Sequence, residues 1–385
     1  MISPARLKQT IQAEAARLGF SLAGVTHAGP PEHFPDFGRW LEQGRRAGMA
    51  YLSTPRSLER RADPTRLLPE AKSILSLAIP YAAPRETNPT IKSGTDFGRV
   101  AAYAWGDDYH DVLLPRLEQL IETVEKESDT RVVHRAYTDT GAILERDLAQ
   151  RAGLGWIGKN TCLIHPHHGS YFLLSEILVD AELEPDPPFR SDRCGTCTRC
   201  IDACPTGCIE EDRTIDAGRC ISYLTIENKG EIPAELRPQM GNWVFGCDIC
   251  QEVCPWNVRF AKGQQPGPGL ATRPGIPDPL LSGELSLSPG GFKTKFQGSP
   301  VLRAKRRGYL RNIAVALGNT QNPAHIPTLI EALEDEAEGL VRAHAAWALG
   351  RFQDRRARQA LEKALRSEPD EGARKEIRLA LMPAK

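Results

Sequence analysis

The chain has 385 residues, with 49 Lys and Arg balanced by 49 Asp and Glu, so its formal charge is zero. That balance excludes a global field for nucleic acid or membrane, and any such partner must be met by a local patch. No apolar run approaches the roughly 18 residues of a membrane span. Met1-Ile2-Ser3-Pro4 opens no signal peptide, so the cytoplasm is the expected compartment and no membrane partner is expected.

Taken in chain order, Leu7, Ile11, Ala15 and Leu18 give Pro4–Gly19 a helical period ending at a glycine. Ser73–Pro80 is an apolar run suited to a buried strand. Tyr109–Lys126 reads as a helix with Leu113, Leu117, Leu120 and Ile121 on one side. Arg131–Tyr137 is a strand, Ala142–Ala152 a helix, and Tyr171–Val179 a third strand. Interleaved strands and helices make residues 1–185 a layered α+β domain. A Pro-rich boundary follows, then a cysteine-dense module over 186–262. A Gly/Pro/Ser-rich stretch over 263–298 reads as a linker. In 299–385, Leu317-Gly318 and Leu349-Gly350 recur at a period of about 30 residues between paired helices, which points to HEAT-type repeats.

Of the ten cysteines, Cys162 stands apart and the rest lie between Cys194 and Cys254. Cys194-x-x-Cys197-x-x-Cys200-x-x-x-Cys204-Pro205 is the bacterial ferredoxin run, whose fourth cysteine ligates the other cluster in two-cluster proteins. A second run, Cys247-x-x-Cys250-x-x-x-Cys254-Pro255, has Val244 where its first cysteine should stand. Cys220 is the best-placed replacement. The expected ligand sets for two 4Fe–4S clusters are Cys194, Cys197, Cys200 and Cys254 for the first, and Cys204, Cys220, Cys247 and Cys250 for the second. Cys162 and Cys208 read as packing thiols.

No dinucleotide fingerprint or P-loop occurs. Asp139, between a strand and a helix, suits either a helix cap or a general acid over a cofactor. His110, His165, His167 and His168 lack strict ligand spacing and read as solvated turns.

The stretches Tyr103-Ala-Trp-Gly-Asp-Asp-Tyr-His110, Asp139-Thr-Gly141, Gly153-Leu-Gly-Trp-Ile-Gly-Lys-Asn-Thr161 and Cys220-Ile-Ser-Tyr-Leu-Thr-Ile-Glu227, with both cysteine runs, resemble the epoxyqueuosine reductase family. The resemblance spans nearly the whole chain. It implies a multidomain α+β fold with a nitroreductase-like cobalamin-binding domain, a bacterial two-cluster ferredoxin-like domain and C-terminal α-helical HEAT-like repeats. It implies an oxidoreductase that converts epoxyqueuosine to queuosine at the tRNA wobble position, the last step of queuosine biosynthesis, using cobalamin fed by two 4Fe–4S clusters. An external electron donor, a tRNA anticodon stem-loop substrate and a monomeric state follow from it. So does the role of Asp139 as a buried, protonated acid beside the cofactor. Carried over in the same way, Arg61, Tyr103, Asp139, Lys159, Asn160, Ser170, Ser222, Thr225 and Asp248 line the cobalamin. Arg303, Lys305, Arg306, Arg307 and Arg311 form the expected tRNA face, with Arg351, Arg355, Arg356 and Arg358 at the second repeat. The rival readings are a corrinoid reductive dehalogenase, against which the lack of an export signal counts, and a plain ferredoxin-type electron carrier.

Overall fold

The computed structural model describes residues 3–81, 96–261 and 263–382. They fall into two compact units. The first draws on 1–88, 105–218 and 248–272, and the second on 89–104, 219–247 and 273–385.

In the first unit α1 (Pro4–Arg17) starts where the Ser3 hydroxyl accepts the Arg6 N–H, with Pro4 in the first turn. Leu7, Ile11 and Ala15 form its buried stripe. Next come β1 (Leu22–His27), α2 (Phe34–Glu42), α3 (Pro55–Ala62) and β2 (Ser73–Pro80). They are followed by α4 (Tyr109–Ser128), β3 (His134–Tyr137), α5 (Glu145–Arg151) and β4 (Phe172–Val179). The strands form an antiparallel sheet in the order β1–β2–β4–β3. β2 is buried along its whole length, as its unbroken apolar run predicts. α5 packs on the sheet through Leu148, with Ile74, Leu178 and Ile143. Its end comes so close to β1 that a Cβ on Gly24 would lie 2.1 Å from the Ala152 carbonyl oxygen. Only glycine fits there.

α5 is shorter than the expected 142–152 and its first turn has no side-chain cap. β3 is likewise shorter than 131–137, because Arg131–Val133 lie outside the ladder.

The second unit contains α6 (Ile221–Ile226), then α7 (Leu281–Leu285) and α8 (Pro289–Lys295). The last two lie inside the stretch read as a linker, where Ser288 caps α8 and Phe292 and Phe296 are buried. Five longer helices complete it: α9 (Lys305–Thr320), α10 (Ile326–Asp335), α11 (Gly339–Gly350), α12 (Arg355–Leu365) and α13 (Glu371–Leu381). The repeated glycines are points of close helix approach, since a Cβ on Gly318 would meet Ala348 at 2.9 Å and one on Gly350 would meet Ala380 at 2.7 Å. A buried pair, Arg237 with Glu376 at 2.8 Å, ties α13 to the loop that follows α6.

Candidate active site and cluster loops

Asp139 lies in the turn between β3 and α5, in the left-handed region at φ 57°. The Tyr109 hydroxyl, at the start of α4, donates to Asp139 Oδ2 at 2.8 Å, and the Asp139 backbone N–H donates to Glu145 Oε1 at 2.8 Å. The side chain does not cap α5. It is also exposed, whereas the expected proton donor is buried. The turn places its carboxyl outside the sheet, and burial falls instead on two neighbouring acids that sequence reasoning missed.

Glu145 opens α5. Burial, reinforced by the Asp139 charge and opposed by Arg146 and Arg61, pushes its carboxyl up to about 7. Glu176, in the middle of β4, is fully buried, and neither carboxylate oxygen has a hydrogen-bond partner. Burial raises it well above the usual carboxylate range, and Glu145 and Asp139 add to the shift. A charged residue inside the apolar run Phe172–Val179 was the signal that could have found it.

The cluster loops have their own geometry. Among the described residues no cysteine is joined in a disulfide. Cys194, Cys197, Cys200 and Cys254 belong to the first unit. There Cys254 and Cys194 share an apolar patch with Trp156 and Trp256. Burial pushes the Cys200 thiol up to about 11, with Cys194 and Cys254 next in effect. Crowded thiols of this kind are costly to ionise unless metal charge offsets them. Among the described residues no donors converge as they would around a single ion. A cubane draws its thiolates onto separate iron corners, a demand the Cys194-x-x-Cys197-x-x-Cys200 run is suited to meet. Cys204 and Cys250 lie in the first unit, and Cys220 and Cys247 in the second. Cys204 Sγ receives the Cys208 N–H at 3.4 Å and lies 3.5 Å from the Cys208 sulfur, so Cys208 supports a ligand loop instead of only filling space.

The residues expected to line cobalamin divide the same way. Arg61 is half-buried, bonds Ser57 and lies over the Phe37 ring at 5.7 Å. Lys159 donates to the Gly195 and Cys197 carbonyls at 2.8 and 3.0 Å, bracing the first cysteine loop. Asn160 donates to Cys250 O at 3.4 Å. Ser170 donates to Gln251 and receives Asn257. Asp248 is buried. Tyr103, Ser222 and Thr225 belong to the second unit. Thr225 is a correction: its side chain is fully buried, and its hydroxyl donates to Ile221 O and accepts the Gly246 N–H, so it has no surface for a ligand.

The basic face also needs correction. Arg311 is fully buried and donates to the carbonyls of Leu224, Asn228 and Gly230, so it is structural and cannot touch phosphate. Arg306 grips Glu336 with both terminal nitrogens. Arg303, Lys305 and Arg307 are exposed.

An ether-opening redox cofactor needs an acid at its open face and electron centres in the same body. The exposed Asp139 carboxyl, with buried acids behind it, and the Cys194–Cys200 loop fit that demand.

Residues 61–140 match the family model "Epoxyqueuosine reductase QueG, DUF1730", 193–257 the 4Fe-4S double cluster binding domain, and 301–382 HEAT repeats. The chain is 41% identical to the epoxyqueuosine reductase of Pseudomonas aeruginosa, over 90% of this chain and 95% of that one. It is similar to an epoxyqueuosine reductase crystallised with an epoxyqueuosine-modified tRNA-Tyr stem loop, at TM-score 0.90 and 34% identity over 97% and 98% of the two chains. It is also similar to the Bacillus subtilis enzyme solved with its catalytic aspartate loop swung out of the active site, at TM-score 0.87, 34% identity and the same coverage. The chain belongs to the epoxyqueuosine reductase family of oxidoreductases, whose cofactors are two 4Fe–4S clusters and cobalamin.

Proposed function

We propose that this chain reduces the epoxide of epoxyqueuosine in a tRNA anticodon stem-loop to the alkene of queuosine, with Asp139 as the acid that protonates the oxygen. The observation that carries this reading is the Asp139 carboxyl itself. It is exposed on a strained turn, with Oδ2 held by the Tyr109 hydroxyl, in the same unit as Cys194, Cys197, Cys200 and Cys254. A strained backbone at a pinned side chain is typical of a pre-organised catalytic group.

Cobalamin, when bound, supplies a low-valent cobalt reducing enough to open an epoxide without water. Arg61, Tyr103, Lys159, Asn160, Ser170, Ser222 and Asp248 are assigned to hold it, with Thr225 set aside. The Tyr109 bond occupies Oδ2, so Oδ1 is the oxygen assigned the proton. The first cluster takes Cys194, Cys197, Cys200 and Cys254, and the second takes Cys204, Cys220, Cys247 and Cys250. Domain limits of 1–185, 186–262, 263–298 and 299–385 describe the division of labour, with the last segment meeting RNA through Arg303, Lys305 and Arg307. The enzyme works as a cytoplasmic monomer with an external electron donor. No helix among the described residues is long and apolar enough to cross a membrane.

The test is turnover of an epoxyqueuosine-bearing stem-loop by reconstituted wild type and Asp139→Asn. Loss of a general acid lowers kcat by about 10²–10⁴-fold. Equal rates would remove Asp139 from the role.

A further inference from the structure

Converting an epoxide to an alkene consumes two electrons and two protons. Both C–O bonds break, the second bond between the two carbons forms, and the oxygen leaves as water. The electrons come from the external donor. One carboxyl delivers one proton, so Asp139, in the role assigned above, has to be recharged within each turnover.

The groups behind Asp139 are arranged for this. Glu145 Oε1 already accepts the Asp139 N–H at 2.8 Å, which holds a second carboxyl against the main chain of the same turn. Glu145 is partly exposed, so it can regain a proton from water. Behind it, Glu176 stands in register with Ser76 on β2 and Tyr137 on β3. It is 0% exposed and has no hydrogen-bond partner on either oxygen. A buried carboxyl left unpaired costs about 1–3 kcal/mol, and a leucine would pack there without that cost. Around the three acids, Arg61 on α3 and Arg146 on α5 favour the ionised form of Glu145. Tyr109 on α4 holds Asp139. The charges of Glu145 and Asp139 disfavour ionisation of Glu176.

We propose that Glu145 returns a proton to Asp139 between the two protonation steps. The proposal rests on Asp139 being the donor.

Two measurements test it. The first is infrared difference titration of the holoenzyme carrying ¹³C-labelled glutamate, which separates Glu from Asp carboxyl bands. We expect a glutamic-acid band that titrates between about pH 5 and pH 9, disappears in Glu145→Gln and persists in Glu176→Gln. The second is the pH profile of kcat with the modified stem-loop. The wild-type rate should fall as pH rises through neutrality. Glu145→Gln should lose at least about tenfold in kcat at unchanged KM and become insensitive to pH over that range, and Glu145→Asp should recover part of the rate. The proposal is overturned if no glutamic-acid band titrates in that window, or if Glu145→Gln keeps the wild-type profile while Asp139→Asn is inactive. An active Asp139→Asn would instead overturn the donor assignment. If Glu145→Gln does not fold, the infrared titrations of wild type and Glu176→Gln still decide the question, since a titrating band that survives in Glu176→Gln keeps the proposal and one that vanishes there overturns it.

Discussion

The indole N–H of Trp156 donates to Cys194 Sγ over 3.4 Å. Donors to a cluster sulfur favour the more negative, reduced state and so raise the potential. Trp156→Phe keeps the ring that stacks on Phe189 at 5.7 Å and removes only the donor. The midpoint potential of the cluster assigned to Cys194 should then fall by roughly 40 mV, the equivalent of about 1 kcal/mol for one electron. A redox titration followed by electron paramagnetic resonance reads the shift.

Replacing Glu176 with leucine should stabilise the fold. The Glu176 carboxyl is raised by burial, so the folded state binds its proton more tightly than the unfolded chain does. Its contribution to stability is fully present below the ordinary glutamate value and is lost as pH rises toward the raised one. The melting temperature of Glu176→Leu should therefore exceed that of wild type by more at pH 8 than at pH 5. The expected gain at pH 8 is about 1–3 kcal/mol, set by the unpaired carboxyl that is removed.

His344 works in the opposite direction within the second unit. It is fully buried, accepts the Ile232 N–H through Nε2 at 3.2 Å, and shares 2.8 Å with Leu340 O through Nδ1. Burial first, then the charge of Arg237, holds it well below the usual histidine value. The unfolded chain takes up a proton below about pH 6.5 that the folded chain refuses. Stability is thus present above that pH and is lost as pH falls, by at most about 1.4 kcal/mol per pH unit. Melting curves of wild type and His344→Gln between pH 5 and pH 8 should diverge in slope, with the variant the flatter of the two.

On the RNA side, Arg303→Ala, Lys305→Ala and Arg307→Ala together should weaken stem-loop binding and lower the salt slope by about one unit for each phosphate no longer neutralised. Arg306→Ala should act chiefly on stability, because it strips Glu336 of a two-point partner. Fluorescence anisotropy across a salt series separates the two behaviours.

The double-cluster module could be read from sequence because an iron–sulfur run is local: three thiolates at three-residue steps need no knowledge of the fold, and the family match over 193–257 falls on those runs. The repeat glycines were legible for a similar reason, with Gly318 and Gly350 marking close helix approaches at a fixed period. α7 and α8 were missed although Ser288-Pro289 is a readable helix start, because the glycines and prolines around them dominated the composition. The carboxyl cluster could not be assembled from sequence. Its three members come from a turn, a helix start and a mid-strand position, and only the pairing of β4 with β2 and β3 brings them together. Arg311 misled for the converse reason. A basic residue next to Arg306 and Arg307 looks like surface, and nothing local reveals that three main-chain carbonyls are waiting for it.

That guanidinium has an evolutionary corollary. α6 begins directly after Cys220, and the carbonyl of Leu224 within it is held by Arg311 from α9. A gene shortened ahead of α9 would strip the Leu224, Asn228 and Gly230 carbonyls of their partner, in the backbone that directly follows Cys220. A chimaera that swaps the whole array would have to bring residues 224–230 along with it.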